Sequence, residues 1–380
     1  MRLLQTVFAI TLGVGSAALV VGGAGDALAD NMDPVTERLV VQPNGPFPTG
    51  TNSCQDVAAN PESAFTINGK NPNNFLCRPH NAAFANLISE LGFAMAPSAL
   101  HPARTTGIGG FALTIEAAYT KINADASATD KDSGQTIKYW HQGTQGAKDP
   151  NTKAFGTTNN APDSTLQLYS LKARKGLPLG FELTGALGYM ANTTLWVVGA
   201  DVRWAPLEGF RTGALGILPD IAVGGGVRTL AGTSKFTLTT VGLDVQISKR
   251  IAIADSSQLT PYVGYQRLWI FGDSTIIDST PNVDPLKQCG YTGPNPQTGS
   301  PDCANKYSNG APANSDFNNN FVFQRVRTQR NRGIVGLNYR YEFLFIAGQF
   351  IIDLTSPHDD DDRLQDIRQW TTAFEAGVHF

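Results

Sequence analysis

Twelve charged side chains fall on alternate positions of segments whose other alternate positions are apolar: Glu116, Lys172, Arg174, Glu182, Asp201, Arg203, Arg228, Asp244, Arg330, Arg332, Arg340 and Glu375. Neighbouring residues of a strand point to opposite faces, so the charges share one side of a sheet and the apolar residues the other. Two chemistries suit such a face. One is an electrostatic filter in an aqueous passage, with Arg228, Arg330 and Arg332 drawing anions to an outer mouth and Glu116, Asp244 and Glu375 selecting at mid-height. The other is a salt-bridged filling that closes the interior.

The remaining reactive residues offer less. Four cysteines fall as two local pairs, Cys54 with Cys77 and Cys289 with Cys303. In an exported chain these read as two loop-stapling disulfides, with sequence-near pairing favoured over the other connectivities. There is no C-x-x-C, and His80 is poorly spaced for zinc, so no metal is expected. Of five histidines, His80, His101 and His379 lie in the lead-in or near the last residue. His141 and His358 fall in expected loops, which leaves a surface hydrolase as a third reading. Neither a Walker loop, nor H-E-x-x-H, nor G-x-S-x-G occurs. GIGGF (Gly107–Phe111) and AVGGGV (Ala222–Val227) are glycine-containing strands with no helix to follow. The run Asp359–Asp362 reads as a solvated loop, because four adjacent acids cannot all converge on one calcium ion. No catalysis and no cofactor are expected. A net charge of −3 argues against a nucleic-acid binder, which would carry a basic stripe.

The elements that hold these charges are strands, and the clearest is the last. From Trp370 to Phe380, one face carries Trp370, Thr372, Phe374, Ala376, Val378 and Phe380. The other carries Thr371, Ala373, Glu375, Gly377 and His379. A tilted strand of about 9–11 residues crosses a bilayer. This stretch resembles the closing strand of bacterial outer-membrane β-barrels. The resemblance implies that Phe374, Val378 and Phe380 form the signal read by the barrel-assembly machinery. It also implies the lipid bilayer and lipopolysaccharide as partners. At the other end, Met1 and Arg2 precede an apolar run from Leu3 to Val21 and an A-x-A site at Ala27 to Ala29. Residues 1–29 therefore read as a signal peptide cleaved after Ala29, with export to the outer membrane of a Gram-negative bacterium.

Residues 30–104 form an irregular segment rich in Pro and Asn, holding one short amphipathic helix over Ala82–Met95 as plug, cap or lead-in. Residues 105–380 form the barrel. Its first strand presents Phe111, Leu113, Ile115, Ala117 and Tyr119 to lipid, and the same alternation recurs for ten strands in all. Eight or twelve also fit, depending on Leu207–Leu218 and on KYWHQG (Lys138–Gly143), read as a hairpin extension. Tyr262–Phe271 is a strand of ambiguous phase that leaves Arg267 undecided and has room for a bulge. The uncharged window Leu183–Ala200 is interrupted by Asn192, Thr193 and Thr194, so it reads as two strands and a turn. Composition agrees, with 39 Gly, 22 Pro and 16% charged residues. Long segments follow the first, seventh and ninth strands. In the resembled class long loops face outward, which puts both termini in the periplasm. The expected fold is an all-β transmembrane antiparallel barrel. Eight strands leave room only for side chains or a small ligand, and aqueous channels appear at about sixteen. The expected function is a narrow pore or solute-uptake channel, the alternative a non-conducting structural or surface-interaction barrel acting through disulfide-stapled loops.

Overall fold

The alternation closes on itself. In a computed structural model, described over residues 31–41, 78–98, 101–146, 158–206, 218–254, 256–278, 291–294, 296–297, 301–303 and 320–380, ten antiparallel strands form one continuous barrel. They are β1 (Phe111–Lys121), β2 (Thr165–Gly176), β3 (Phe181–Met190), β4 (Trp196–Trp204), β5 (Asp220–Ala231), β6 (Phe236–Ser248), β7 (Ser257–Ser274), β8 (Val326–Tyr341), β9 (Leu344–Asp353) and β10 (Trp370–His379). Each strand pairs with its sequence neighbour, and β10 closes on β1 from Thr371 opposite Thr120 to His379 opposite Ala112. Phe111 and Phe380 then exchange both backbone hydrogen bonds, at 3.0 and 2.8 Å. No edge is left unpaired, which is what hydrocarbon demands of a sheet.

Burial follows the two-residue period. Ile115, Leu171, Val198, Leu243, Ile346 and Phe374 lie outward and exposed, while Glu116, Lys172, Arg174, Arg228 and Glu375 lie inward and buried. Aromatic pairs bracket the outer apolar belt. Tyr119 with Tyr169 and Tyr189 with Trp196 stand toward the long-loop end, and Phe181 stacks on Trp204 at the short-turn end with ring centroids 5.9 Å apart. These are the interfacial girdles of a membrane barrel. Among the described residues, no helix is long and apolar enough to cross a membrane.

The interior is occupied. Helix α1 (Asn81–Met95) lies inside the sheet against β1, β2, β6, β7 and β8. His80 caps its start, with Nδ1 accepting from the Ala83 N–H at 3.1 Å, and Pro97 follows its end, where Ala96 is forced into an extended conformation. The expected amphipathic helix is in fact buried on every side from Ala82 to Met95. Its polar residues do not face water: Asn86 bonds to Arg363 and Gln365, and Ser89 to Arg330.

A β-carbon at Gly92 would sit 2.5 Å from Ile270 Cγ2, so the helix needs glycine to seat against β7. Gly92→Val is expected to destabilise the folded barrel by about 1–3 kcal/mol in urea unfolding. Ile270→Ala in the same chain should return part of that loss.

Three further expectations are corrected. KYWHQG is a hairpin only at Lys138, which pairs with Ser127: Tyr139–Gly143 forms a short helix, α2, whose Tyr139 and Trp140 are buried over α1. β7 has no bulge against β8, its register running unbroken from Ser257 to Gly272. Its inward bulk, Tyr262, Leu268 and Ile270, faces an interior that α1 makes apolar, and Arg267 points outward with its guanidinium 5.9 Å from the Trp269 ring. The third correction concerns the termini. Met32 N donates to Asn192 O, Thr194 N to Asp33 Oδ1, and Lys235 pairs with Glu37, all in connections that follow odd strands. Residues 31–41 therefore lie at the long-loop end and Phe380 at the short-turn end.

Cys54, Cys77, Cys289 and most of Leu207–Leu218 lie outside the described residues, as do residues 1–29, expected to be a leader, and only the backbone of Cys303 is described.

Candidate functional site

The lumen is where the inward charges meet the N-terminal segment. Descending from the long-loop end, Ile88 touches Gly272, Pro97 O accepts from Gln266 Nε2 at 3.2 Å, and Ala103 N donates to Ser248 Oγ at 3.1 Å. Thr106 N donates to Glu182 Oε2 at 2.7 Å near the other end. The segment thus runs the height of the barrel before entering β1.

At mid-height Glu116 and Glu375 stand directly opposite on β1 and β10. Like charges so placed repel, and each is answered by a cation from β2: Lys172 pairs with Glu116, Arg174 with Glu375. Ser98 of the plug joins the first pair, its hydroxyl donating to Glu116 Oε1 at 2.6 Å and accepting from Lys172 Nζ at 2.8 Å. Across the lumen Arg228 holds Asp201 with two bonds of 2.6 and 2.7 Å. Gly226 makes room for this, since a β-carbon there would collide with Asp201 Oδ1 and lie 3.2 Å from Pro97. Arg203 lies 3.8 Å from Asp244, and its Nη1 bonds to Gln246 Oε1 and to the carbonyls of His101 and Pro102.

Arg330 and Arg332 do not ring an open mouth. Both are about 1% exposed and stack over Phe93 of α1, at 5.6 and 4.8 Å. Arg330 pairs with Asp353 at 2.5 Å, and Arg332 donates to Gln266 Oε1 at 2.8 Å. Arg228 is likewise buried, and Arg340 stands at the opposite, short-turn end. For Arg330 and Arg332 the reason is shared: inward positions near the long-loop end face a helix instead of water.

Two groups of the plug are held away from their ordinary protonation range. Burial pushes the Glu90 carboxyl up to about 7, against donors that favour its ionised form: the Tyr139 hydroxyl, Trp140 Nε1 at 3.2 Å and Asn123 N at 3.3 Å. Burial, helped by the charges of Arg203, Arg174 and Lys172, holds His101 well below the usual imidazole range. Arg203 can only donate, so His101 Nδ1 accepts from it at 3.0 Å and the proton sits on Nε2, which faces Glu182 Oε1 at 3.4 Å. Nothing in the sequence distinguished Glu90, Ser98 or His101 as parts of this site. The only available signal was a single acid, Glu90, inside an otherwise uncharged helix.

The acidic loop is solvated at Asp359, Asp360 and Asp362, and three of its acids also have partners. Asp360 accepts from Gln329 N at 2.7 Å, Asp361 pairs with Arg363 at 2.6 Å, and Asp362 pairs with Lys131. No metal-binding group of acids, histidines or cysteines occurs among the described residues.

No family model matches the sequence, and no curated protein matches it. Three solved structures similar to the chain are faint likenesses. Ail, the attachment invasion locus protein of Yersinia pestis, in complex with the heparin analogue sucrose octasulfate, is 10% identical over 72% of this chain and 99% of its own, with a TM-score of 0.24. Omp33 of Acinetobacter baumannii is 6% identical over 72% and 98%, with a TM-score of 0.24. A loop-deleted OmpT of Vibrio cholerae is 9% identical over 72% and 100%, with a TM-score of 0.21. Likenesses of this grade decide nothing about the chain. Its own closed sheet, apolar belt and girdles make it a transmembrane β-barrel of the outer-membrane type.

Proposed function

We propose that the protein is a barrel kept shut by its own N-terminal segment, working through its long-loop face rather than as a permanently open pore. One observation carries this reading: α1 is buried along its length inside the sheet, and the inward charges bond to one another and to the plug. With the long loops outside, residues 31–41 join them to form a composite outer surface, bordered by lipopolysaccharide. The expected disulfides would staple that surface. No reaction is assigned to it. Among the described residues His141 pairs with Asp125 at 3.1 Å and His358 Nδ1 donates to Leu364 O at 2.7 Å, and neither bonds a hydroxyl or thiol. Phe374, Val378 and Phe380 serve as the assembly signal, and Phe374 and Phe380 stand exposed on the lipid side.

A second reading, a gated passage, draws support from the lower half of the plug. Its contacts at Ser98, His101 and Thr106 are hydrogen bonds to charged groups, which water can replace at a net cost of roughly 1.5–3 kcal/mol each. Planar-bilayer recording separates the two. At pH 6 the mature full chain should show no stepwise current at any voltage. A variant lacking residues 31–104 should show steps if the strands alone enclose a path, and Gly92→Val in the full chain should show rare brief ones. Stepwise current from the full chain, unchanged by the deletion, would sink the sealed-barrel reading.

A further inference from the structure

The short-turn mouth holds a cavity of about 190 Å³ between the foot of the plug and the ends of several strands. Four arginines line it, Arg104, Arg174, Arg250 and Arg340, against one carboxylate, Glu182. Glu182 is already committed to Thr106 N and His101. Arg174 is committed to Glu375. Arg250 and Arg340 have no acidic partner among the described residues; Arg340 Nε donates only to the Glu342 carbonyl, at 2.8 Å. Among the described residues, Arg250 and Arg340 therefore leave the cavity a surplus of positive charge.

A second observation points the same way. Gln258, Thr260 and Asn338 line the same cavity and make no side-chain hydrogen bond among the described residues, although Thr260 is 3% and Asn338 7% exposed. Buried polar groups are ordinarily satisfied, so Thr260 and Asn338, with the half-buried Gln258 and two uncommitted guanidinium groups beside them, form a set of donors awaiting acceptors. Arginine forks match the paired oxygens of a phosphate better than an ammonium does. The volume suits one such group, since an engineered cavity of about 150 Å³ takes a benzene ring.

We propose that this mouth is a phosphate-binding site, with Arg250 and Arg340 holding the oxyanion and Gln258, Thr260 and Asn338 completing its hydrogen bonds. The site is independent of whether the lumen conducts. Its phosphate comes from a soluble ligand or from a lipid headgroup of the inner leaflet, and the test has an arm for each.

Full-length folded protein in an uncharged detergent is titrated with inorganic phosphate, against sodium chloride at matched ionic strength, while thermal unfolding is followed. The midpoint should rise with phosphate beyond the chloride series. Arg250→Gln with Arg340→Gln should weaken the response at least about tenfold, while Lys131→Gln at the opposite end leaves it unchanged. Midpoints in chloride alone establish that each variant is folded. In the second arm, nanodiscs of phosphatidylglycerol are compared with phosphatidylcholine. A stabilisation by the anionic lipid that the double variant loses assigns the headgroup, and a response to free phosphate alone assigns a soluble ligand. The proposal is overturned if neither source moves the midpoint beyond its control, or if the folded double variant responds as the parent does.

Discussion

Arg330→Leu is expected to destabilise the barrel by about 3–5 kcal/mol, although a surface arginine would cost almost nothing. The guanidinium is buried, pairs with Asp353 at 2.5 Å, donates to Ser89 Oγ of the plug at 2.8 Å and covers the Phe93 ring. Removing it strands a carboxylate that is 1% exposed and whose Oδ1 has no hydrogen-bond partner even in the intact protein. The penalty is chiefly that of an unpaired buried charge, not the worth of the pair. It follows that Arg330→Leu with Asp353→Leu should recover most of the loss, because apolar side chains can replace a buried pair at little cost. Lys131→Ala, which breaks the exposed pair with Asp362, should cost no more than about 1 kcal/mol. Urea unfolding of the parent, Arg330→Leu, Asp353→Leu and the double variant forms a double-mutant cycle, with Lys131→Ala as the exposed-pair control. A loss below about 1 kcal/mol for Arg330→Leu alone would mean that this pair does not anchor the plug.

The same arginine marks where the sequence stops being legible. Two-residue alternation is set locally, by each strand having hydrocarbon on one side, so the outward faces of β1, β4 and β10 could be read without knowing what filled the barrel. The inward faces could not. Arg330 and Arg332 look like a cationic mouth only if the lumen is wet, and the bulk of Leu268 and Ile270 looks like a phase error only if nothing apolar stands opposite. Helix α1 supplies what was missing, and its own pattern gives no hint of it. A helix whose polar residues, Asn86, Ser89 and Glu90, find partners in loops and strands far along the chain carries the same periodicity as one whose polar face meets water. The position of residues 31–41 was illegible for a related reason. Their bonds to Asn192, Thr194 and Lys235 are long-range and involve few side chains, and nothing in a Pro- and Asn-rich stretch states at which end of a barrel it will lie.

Raising the pH from 6 to 8 is expected to loosen the plug, and Glu90→Gln is expected to abolish that effect. An unfolded Glu titrates near 4.5, whereas burial beneath Tyr139 and Trp140 moves this one up to about 7. Between those values the folded chain binds a proton that the unfolded chain has released. Stability is therefore highest below about pH 4.5 as far as this group is concerned, falls as pH rises through the window, and has lost on the order of 3 kcal/mol once Glu90 is fully ionised above 7. His101 works in the opposite direction. Its folded proton affinity is depressed, so the unfolded chain takes up a proton first, and stability is lost as pH falls below about 6.5. Below about pH 6.5 the two slopes oppose and nearly cancel, so wild type is level there and loses stability above it. Glutamine at position 90 keeps an acceptor for the Tyr139 hydroxyl or the Trp140 indole but cannot ionise, so the alkaline limb flattens and the fall below pH 6.5 owed to His101 is uncovered. Urea midpoints measured from pH 5 to 8.5 test both, and bilayer current that appears in wild type only above pH 7 would tie the carboxyl to the seal itself. Parallel pH profiles for wild type and Glu90→Gln would remove Glu90 from the account, leaving the seal to packing alone.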